Sequence, residues 1–259
     1  MTRRVAVVLA HPDDDTYGVG ASLALHAGED VAITAILTTS GEAGLISDDT
    51  LATRETLAAV REREDAAAWR ALGLEPDLHY LRYPDGAVRD VPRQELVGRY
   101  LEILGAAAPQ VVITFGPDGV TGHADHIRVG ELATEAFHAA RAEGRPGFDR
   151  LLHGGLMRSQ MDRFNALLSA RGLEPIDETA PFQPRAILDE RFGVVVDGTS
   201  VYERKLAALR EHATQAELQD VPMELWPAML QTEAFVVAWP ERSRGDAVLR
   251  DVFEGLPRA

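Results

Sequence analysis

The sequence predicts an α/β fold: a mostly parallel sheet with helices on both faces and a less regular C-terminal elaboration. Two observations predict it. Apolar, β-branched runs of strand length recur at 5–10 (VAVVLA), 31–39 (VAITAILTT) and 111–115 (VVITF), and such runs read as strands buried on both faces. Helical patterns stand between them, and a β-α-β-α rhythm builds a parallel sheet in a three-layer, Rossmann-like arrangement.

The elements follow in order. After the strand at 5–10, residues 16–28, with Gly18, Gly20 and other small side chains, predict a helix packed closely on the sheet. Beyond the strand at 31–39, residues 53–72 predict a long amphipathic helix. Leu57, Val60, Ala67, Trp69 and Leu72 lie on or near its apolar side, Arg and Glu opposite, and Gly73 is placed to cap its end. A short strand at 78–81, a helix at 93–107 ending ahead of Pro109, the strand at 111–115 and a helix at 124–142 complete the first half. Right-handed crossovers put the C-terminal ends of these strands on one rim. Three loops leave that rim, at 11–15, 40–52 and 116–123. In the second half, 151–156 reads as a strand and 159–171 as a helix. Residues 172–191, with Pro175, Pro181 and Pro184, have no period and predict a lid or binding loop. A strand at 192–197, a helix to about residue 212 opened by a Ser200/Glu203 capping box, and a strand at 233–239 follow. There is no internal repeat or linker. The expectation is one domain over 1–259, with a core of about 1–150 and an elaboration of about 151–259.

Composition narrows the function. The 259 residues are 46% hydrophobic, enough for a sizeable core. Lys and Arg number 26 against 41 Asp and Glu, a net charge of −15 that disfavours nucleic acid as a partner. The absence of cysteine excludes disulfides, thiolate catalysis and Cys-based zinc sites, and agrees with a reducing compartment. Six apolar residues separate Arg4 from His11, too few for a signal-peptide core or a membrane span. The expectation is a cytoplasmic protein acting on a small molecule, with no nucleic-acid or membrane partner and a homo-oligomer left open.

The chemistry concentrates in two places. His11-Pro12-Asp13-Asp14-Asp15 stands at the end of the first strand. Carboxylates that close repel one another, and a divalent cation is their simplest neutraliser. His11 and Asp14 could ligate it, with Asp13 as general base on an activated water. Aspartates there would also suit a helix N-terminus. His123-Ala124-Asp125-His126 opens the helix after the third long strand, on the same rim, and can add a further ligand and an acid. A His/Asp/His set leaves a tetrahedral cation one open position, as catalytic zinc sites do, and also admits Fe²⁺.

AHPDD at the first-strand end, paired with GHADH at 122–126, resembles the PIG-L/LmbE-like deacetylases, metal-dependent enzymes of N-acetylglucosamine conjugates that include those of mycothiol and bacillithiol pathways. The resemblance implies an LmbE-like fold, with His11, Asp14 and His126 binding Zn²⁺ and Asp13 as general base. It further implies that a protonated His123 stabilises the oxyanion or assists the leaving amine, and that Asp125 orients a histidine. Glu42 in Ser40–Gly44, Arg61 followed by Glu64, and Asp85 in Tyr83–Gly86 match further family segments and are implied substrate contacts. His212–Gln215 matches a late family element, although His212 itself reads as answering a helix dipole. Asp15 stands where Glu is common, Ala124 where Pro is, and Thr121 where some members have an oxyanion-binding Tyr. His79, His138 and His153 read as structural.

Two rival classes remain. Asp13-Asp14-Asp15 contains the Asp-x-Asp of metal-dependent glycosyltransferases, a reading that leaves His11 and the 123–126 cluster unused. Gly18-Val19-Gly20 could open a dinucleotide site, but Leu23 stands where the third glycine belongs.

Overall fold

The computed structural model describes residues 2–215, 221–243 and 245–257. Eight strands form one sheet: β1 (Arg3–Leu9), β2 (Val31–Leu37), β3 (Asp77–Tyr80), β4 (Val111–Phe115), β5 (Arg150–Met157), β6 (Ala186–Ile187), β7 (Val194–Asp197) and β8 (Thr232–Trp239). Their order is β3-β2-β1-β4-β5-β8-β7, with β6 beside β5. The first five strands pair in parallel, whereas β8 runs antiparallel to both β5 and β7. The helices are α1 (Asp14–Gly18), α2 (Gly20–Ala24), α3 (Leu57–Ala71), α4 (Arg93–Ala107), α5 (Ala124–Ala142), α6 (Arg158–Ala170), α7 (Tyr202–Glu211) and α8 (Pro227–Leu230). A continuous apolar cluster runs from Val5 and Val7 in β1 through Trp69, Tyr100 and Phe137 to Phe235 and Phe253.

The predicted α/β class and the expected strands and helices are present, with shifted ends. α4, β4 and α5 keep the predicted bounds. Gly73, at φ +80°, ends α3 as expected, its N–H on Arg70 O and that of Leu74 on Trp69 O.

Three local expectations fail for identifiable reasons. The helix predicted at 16–28 is two short helices broken at Val19, whose φ of −138° is not helical. Poor helix formers, Gly18 and Gly20, flank the break. The new helix start is capped from a distance: Glu233 in β8 accepts the N–H groups of Ala21 (2.8 Å) and Ser22 (2.7 Å). Lys205 of α7 neutralises that buried carboxylate at 2.6 Å. The Ser200/Glu203 capping box does not form either. A single tight turn at Thr199–Val201 precedes α7, and its Thr199 N–H goes to Asp197 Oδ1 at 2.9 Å. The helix predicted from residue 53 begins at Leu57, after a turn over 53–56 in which Thr56 Oγ1 accepts the Thr53 N–H (2.9 Å).

His26, just past α2, ties the sheet's lower edge to the C-terminal segment. Its Nε2 lies 2.8 Å from Asp251 and its Nδ1 3.2 Å from Glu29. Burial opposes its charge, but those two carboxylates outweigh it and raise its pKa above the ordinary 6.5. A raised folded-state value adds stability that is complete below about pH 6.5 and lost as pH climbs through the raised value. Thermal unfolding at pH 6 and pH 9 should therefore show a larger loss for the wild type than for His26→Gln. Equal losses would refute the assignment.

Candidate active site

The chain leaves β1 toward β2 on one side and returns to β4 on the other, so the crevice between the C-terminal ends of β1 and β4 is a topological switch point, where open α/β sheets bind ligands. Threonine hydroxyls fix its walls. Leu9 O accepts both N–H and Oγ1 of Thr38 at 2.9 Å. Ala10 O accepts those of Thr39 at 2.9 and 3.1 Å, and Thr114 Oγ1 donates to Val8 O at 2.8 Å. On the other wall α5 lies so close to β4 that a Cβ on Gly130 would stand 2.6 Å from Phe115 O. The Phe115 ring stacks under His126 at 4.2 Å.

The two motifs meet there. His11 Nδ1 is 3.1 Å from His126 Nε2 and 3.5 Å from Asp14 Oδ2, while His126 Nε2 is 3.3 Å from Asp14 Oδ1. Each donor is held from behind. His126 Nδ1 donates to Gly119 O at 3.0 Å, turning the lone pair of Nε2 inward. Asp14 Oδ2 accepts the His11 backbone N–H at 2.8 Å. His11 Nε2 faces Asp85 Oδ1 at 3.0 Å and Asp125 Oδ2 at 3.6 Å, which favours a proton on Nε2 and a lone pair on Nδ1. His11, Asp14 and His126 could therefore hold one small divalent cation. His11, His123 and His126 also bring ring nitrogens within 4.8 Å of one another. His123 is the least committed of the three, because its Nδ1 accepts the Asp125 backbone N–H at 3.2 Å as cap of α5.

The electrostatics suit a cation. Burial alone would suppress charge on His11, yet Asp125, Asp14 and Asp85 overcome it and hold its pKa well above the ordinary value. Burial would likewise raise the three carboxylates, but the facing histidines, chiefly His126 for Asp14 and His11 for Asp85 and Asp125, keep all three below the usual range. Burial and the His11 charge depress His123. With Nδ1 accepting from the backbone, neutral His123 carries its proton on Nε2. In that form the ring is a neutral donor, whereas the resemblance implies an imidazolium.

The remaining predicted residues surround this group in specific ways. Asp13 adopts φ 124°, strained for a non-glycine residue, as the cap position of α1. Arg61, only 4% exposed, grips that turn: one guanidinium nitrogen donates to Asp13 Oδ2 (2.8 Å) and Pro12 O (2.6 Å), the other to Gly41 O (2.9 Å). Arg61 thus holds Asp13 and does not face open solvent. Asp125, fully buried, accepts the N–H groups of Gly86 (2.7 Å) and Val88 (3.2 Å) and so fixes the Pro-Asp-Gly turn beside His11. Asp85 reaches His11 with one oxygen and Ala43 N–H with the other (2.9 Å), and Glu42 accepts Asp85 N–H at 2.9 Å. Thr121 Oγ1 stands 3.5 Å from His126 Nδ1.

Sequence reasoning missed the layer behind the turn. Asp15 and Asp65 are both fully buried, and burial pushes Asp15 up to about 6 and Asp65 well above its ordinary value. Tyr80 Oη donates to Asp65 at 2.6 Å. His212 does not answer a helix dipole: it is 3% exposed, its Nε2 is 3.0 Å from Thr16 Oγ1, and burial with the Arg61 charge lowers it to about 3, so it is neutral. Glu64 takes both the N–H (2.9 Å) and hydroxyl (2.6 Å) of Thr214, and Gln215 donates to Leu45 O at 2.7 Å, which ties the 40–52 loop to α3. A signal for this layer existed: Leu57, Arg61, Asp65, Ala68 and Trp69 share one buried helical stripe.

With this geometry in place, the comparisons define a class. The profile of the PIG-L family, described as GlcNAc-PI de-N-acetylase, matches residues 6–137, about half of the chain. The chain belongs to the PIG-L family of deacetylases, and the glycosyltransferase and dinucleotide-binding alternatives fall. Among curated relatives, a 1D-myo-inositol 2-acetamido-2-deoxy-α-D-glucopyranoside deacetylase of Kineococcus radiotolerans is 31% identical over 87% of this chain and 75% of its own length. Among solved structures, the N,N'-diacetylchitobiose deacetylase of Pyrococcus horikoshii matches with TM-score 0.60 and 24% identity, over 91% of this chain and 83% of that one. The 4-carboxy-2-hydroxymuconate hydratase GalB of Pseudomonas putida matches with TM-score 0.59 and 18% identity, over 94% and 98%. The last two establish the fold alone, which hosts more than one chemistry.

Two outcomes test the site. Metal analysis after dialysis against a divalent cation should find stoichiometric metal in the wild type and near-background metal in His126→Ala and Asp14→Ala; full retention by both would remove the triad. Arg61→Met takes the buried cation from beside Asp13, and breaking such a pair costs about 3–5 kcal/mol. Urea unfolding should show a loss of that size, whereas an exposed substrate-contacting arginine would show almost none.

Proposed function

We propose that this chain is a zinc-dependent hydrolase that removes the N-acetyl group from an N-acetylglucosamine conjugate. The observation that carries the reading is the spacing of the three donors. His11 Nδ1 and His126 Nε2 stand 3.1 Å apart, and the Asp14 carboxylate sets Oδ2 3.5 Å from the first and Oδ1 3.3 Å from the second, so the three groups converge at about the spacing of ligands that share one metal with bonds of ~2.0–2.1 Å. When bound there, Zn²⁺ supplies Lewis acidity, lowering the pKa of a water and polarising the acetyl carbonyl. His11, Asp14 and His126 hold it, and the all-nitrogen-and-oxygen donor set leaves Fe²⁺ as the competing occupant.

The chain's own groups carry the proton chemistry. Asp13, its Oδ2 fixed by Arg61, takes a proton from the attacking water, whose oxygen forms the new bond to the acetyl carbon. Charge develops on the carbonyl oxygen, and the Nε2–H of His123 donates to it, an electrostatic contribution of about 10²–10³ in rate when a single donor is removed. The C–N bond then breaks, its electron pair stays on nitrogen, and the proton held by Asp13 passes to that nitrogen. Acetate and a free amine leave. Asp85 and Asp125 contribute by orienting His11, and Glu42 by holding the Asp85 backbone. Glu42 and Asp85 are also candidate substrate contacts through the loops they fix.

The relatives' inositol-linked substrate makes a polar cyclitol conjugate the first to test. The chain lacks cysteine, and among the described residues no helix is long and apolar enough to cross a membrane. Both fit our placement of the enzyme in the cytoplasm.

Acetate release should be followed on a panel of N-acetylglucosamine conjugates with metal-free, zinc-loaded and iron-loaded protein. Asp13→Asn should keep its metal and lose about 10²–10⁴ in kcat. Near-native turnover by Asp13→Asn would overturn the base assignment, and no acetate from any loaded form would overturn the activity.

A further inference from the structure

The segment at 172–191 carries one exposed aromatic ring to the active site. Phe182 is 64% exposed, yet its ring centroid lies 5.0 Å from that of His123, tilted by 40°. It stands in a turn closed by Gln183 N–H on Ala180 O (3.4 Å), after Pro181 and at φ +61°. This is the third position of a type II-like turn, where glycine or asparagine is favoured and a bulky side chain is strained.

The turn is braced on both sides. Upstream, Glu178 accepts Arg158 (2.9 Å) and the Ala186 backbone N–H (2.7 Å). Downstream, β6 pairs with the end of β5, and Arg185 N–H bonds to Val120 O at 2.7 Å in the loop that carries His123. The Arg185 guanidinium covers Gly122 so closely that a Cβ there would collide with it. An apolar ring that gains little burial from its own chain is thus held, in a strained conformation, against the histidine that meets the scissile amide. Strain kept at such a place points to a function.

We propose that Phe182 is a specificity-determining residue, an aromatic platform on which the pyranose ring of the amino-sugar substrate stacks through its C–H face. This rests on the deacetylase reading above. The ring is the group bonded directly to the acetamide nitrogen, so once the carbonyl reaches His123 the pyranose comes beside the ring that touches His123. The aglycone lies one glycosidic bond further out.

Steady-state acetate release should be compared for wild type, Phe182→Ala and Phe182→Trp on N-acetylglucosamine and on its ring-opened alditol. Phe182→Ala should raise KM for the pyranose about tenfold with kcat nearly unchanged, the scale of one good aromatic contact. It should leave the alditol's kinetics unaltered, and Phe182→Trp should restore KM. An unchanged KM, or a fall in kcat with both substrates, which a ring serving only to position His123 would give, overturns the proposal and leaves the deacetylase activity standing. Saturation-transfer NMR on N-acetylglucosamine separates the two readings. Pyranose C–H contacts that vanish in Phe182→Ala without any turnover would sink the activity and keep the platform. No contacts and no turnover would sink both.

Discussion

Three carboxylates converge on one imidazole, and the site follows from how the chain tolerates that. His11 has Asp14 on its Nδ1 side and Asp85 and Asp125 on its Nε2 side, all largely withdrawn from water. Carboxylates so placed are unstable together unless positive charge lies among them, since each loses hydration and each repels the others. Arg61 answers for Asp13, which it contacts directly. For Asp14 the compensating charge has to sit between His11 and His126, where their inward nitrogens and Asp14 converge. The same imbalance that raises His11 suits the dication that we assign to this place.

Most of this was legible in the sequence because it is carried by contiguous motifs on a predictable rim. A buried strand ending in HPDD and another followed by HADH need only a parallel sheet to bring them together, and the β3-β2-β1-β4-β5 order makes β1 and β4 neighbours. What the sequence could not show was the direction in which side chains turn. Arg61 sits in a charge-rich helix and reads equally as solvated or as a substrate contact. Only the packing of α3 shows that it and Asp65 lie on the buried stripe with Leu57 and Trp69. Glu233 and His212 were opaque for another reason: their partners, Ala21 and Ser22 for one and Thr16 for the other, lie about two hundred residues away in sequence. No local pattern announces such contacts.

The helix break at Val19 illustrates how such distant contacts reshape local structure. The sequence pattern reads as one helix over 16–28. The chain instead uses two weak helix formers to restart it, and the buried N–H groups that open the second helix find a carboxylate from β8. Lys205 makes that buried carboxylate tolerable and donates to Tyr17 O as well. The α1 helix that follows the strained Asp13 is thus braced by α7, and α2 by β8, elements that the regular half of the fold does not include.

That arrangement assigns different work to the two halves. The family match ends at residue 137, and within it lie His11, Asp13, Asp14, His123 and His126, the groups to which we assign water activation and oxyanion stabilisation. The later half supplies support from behind, through His212, Thr214, Lys205 and Glu233, and a ring in front, Phe182, on a segment with little regular structure. Support must keep its geometry because Asp13 is strained and its neighbours are buried charges. Phe182, although strained in its own turn, is not one of those buried charges, and β5 and Arg158 hold the end of its segment. On our reading, a fold built this way places one determinant of what the amide is attached to, Phe182, outside the charge balance around His11.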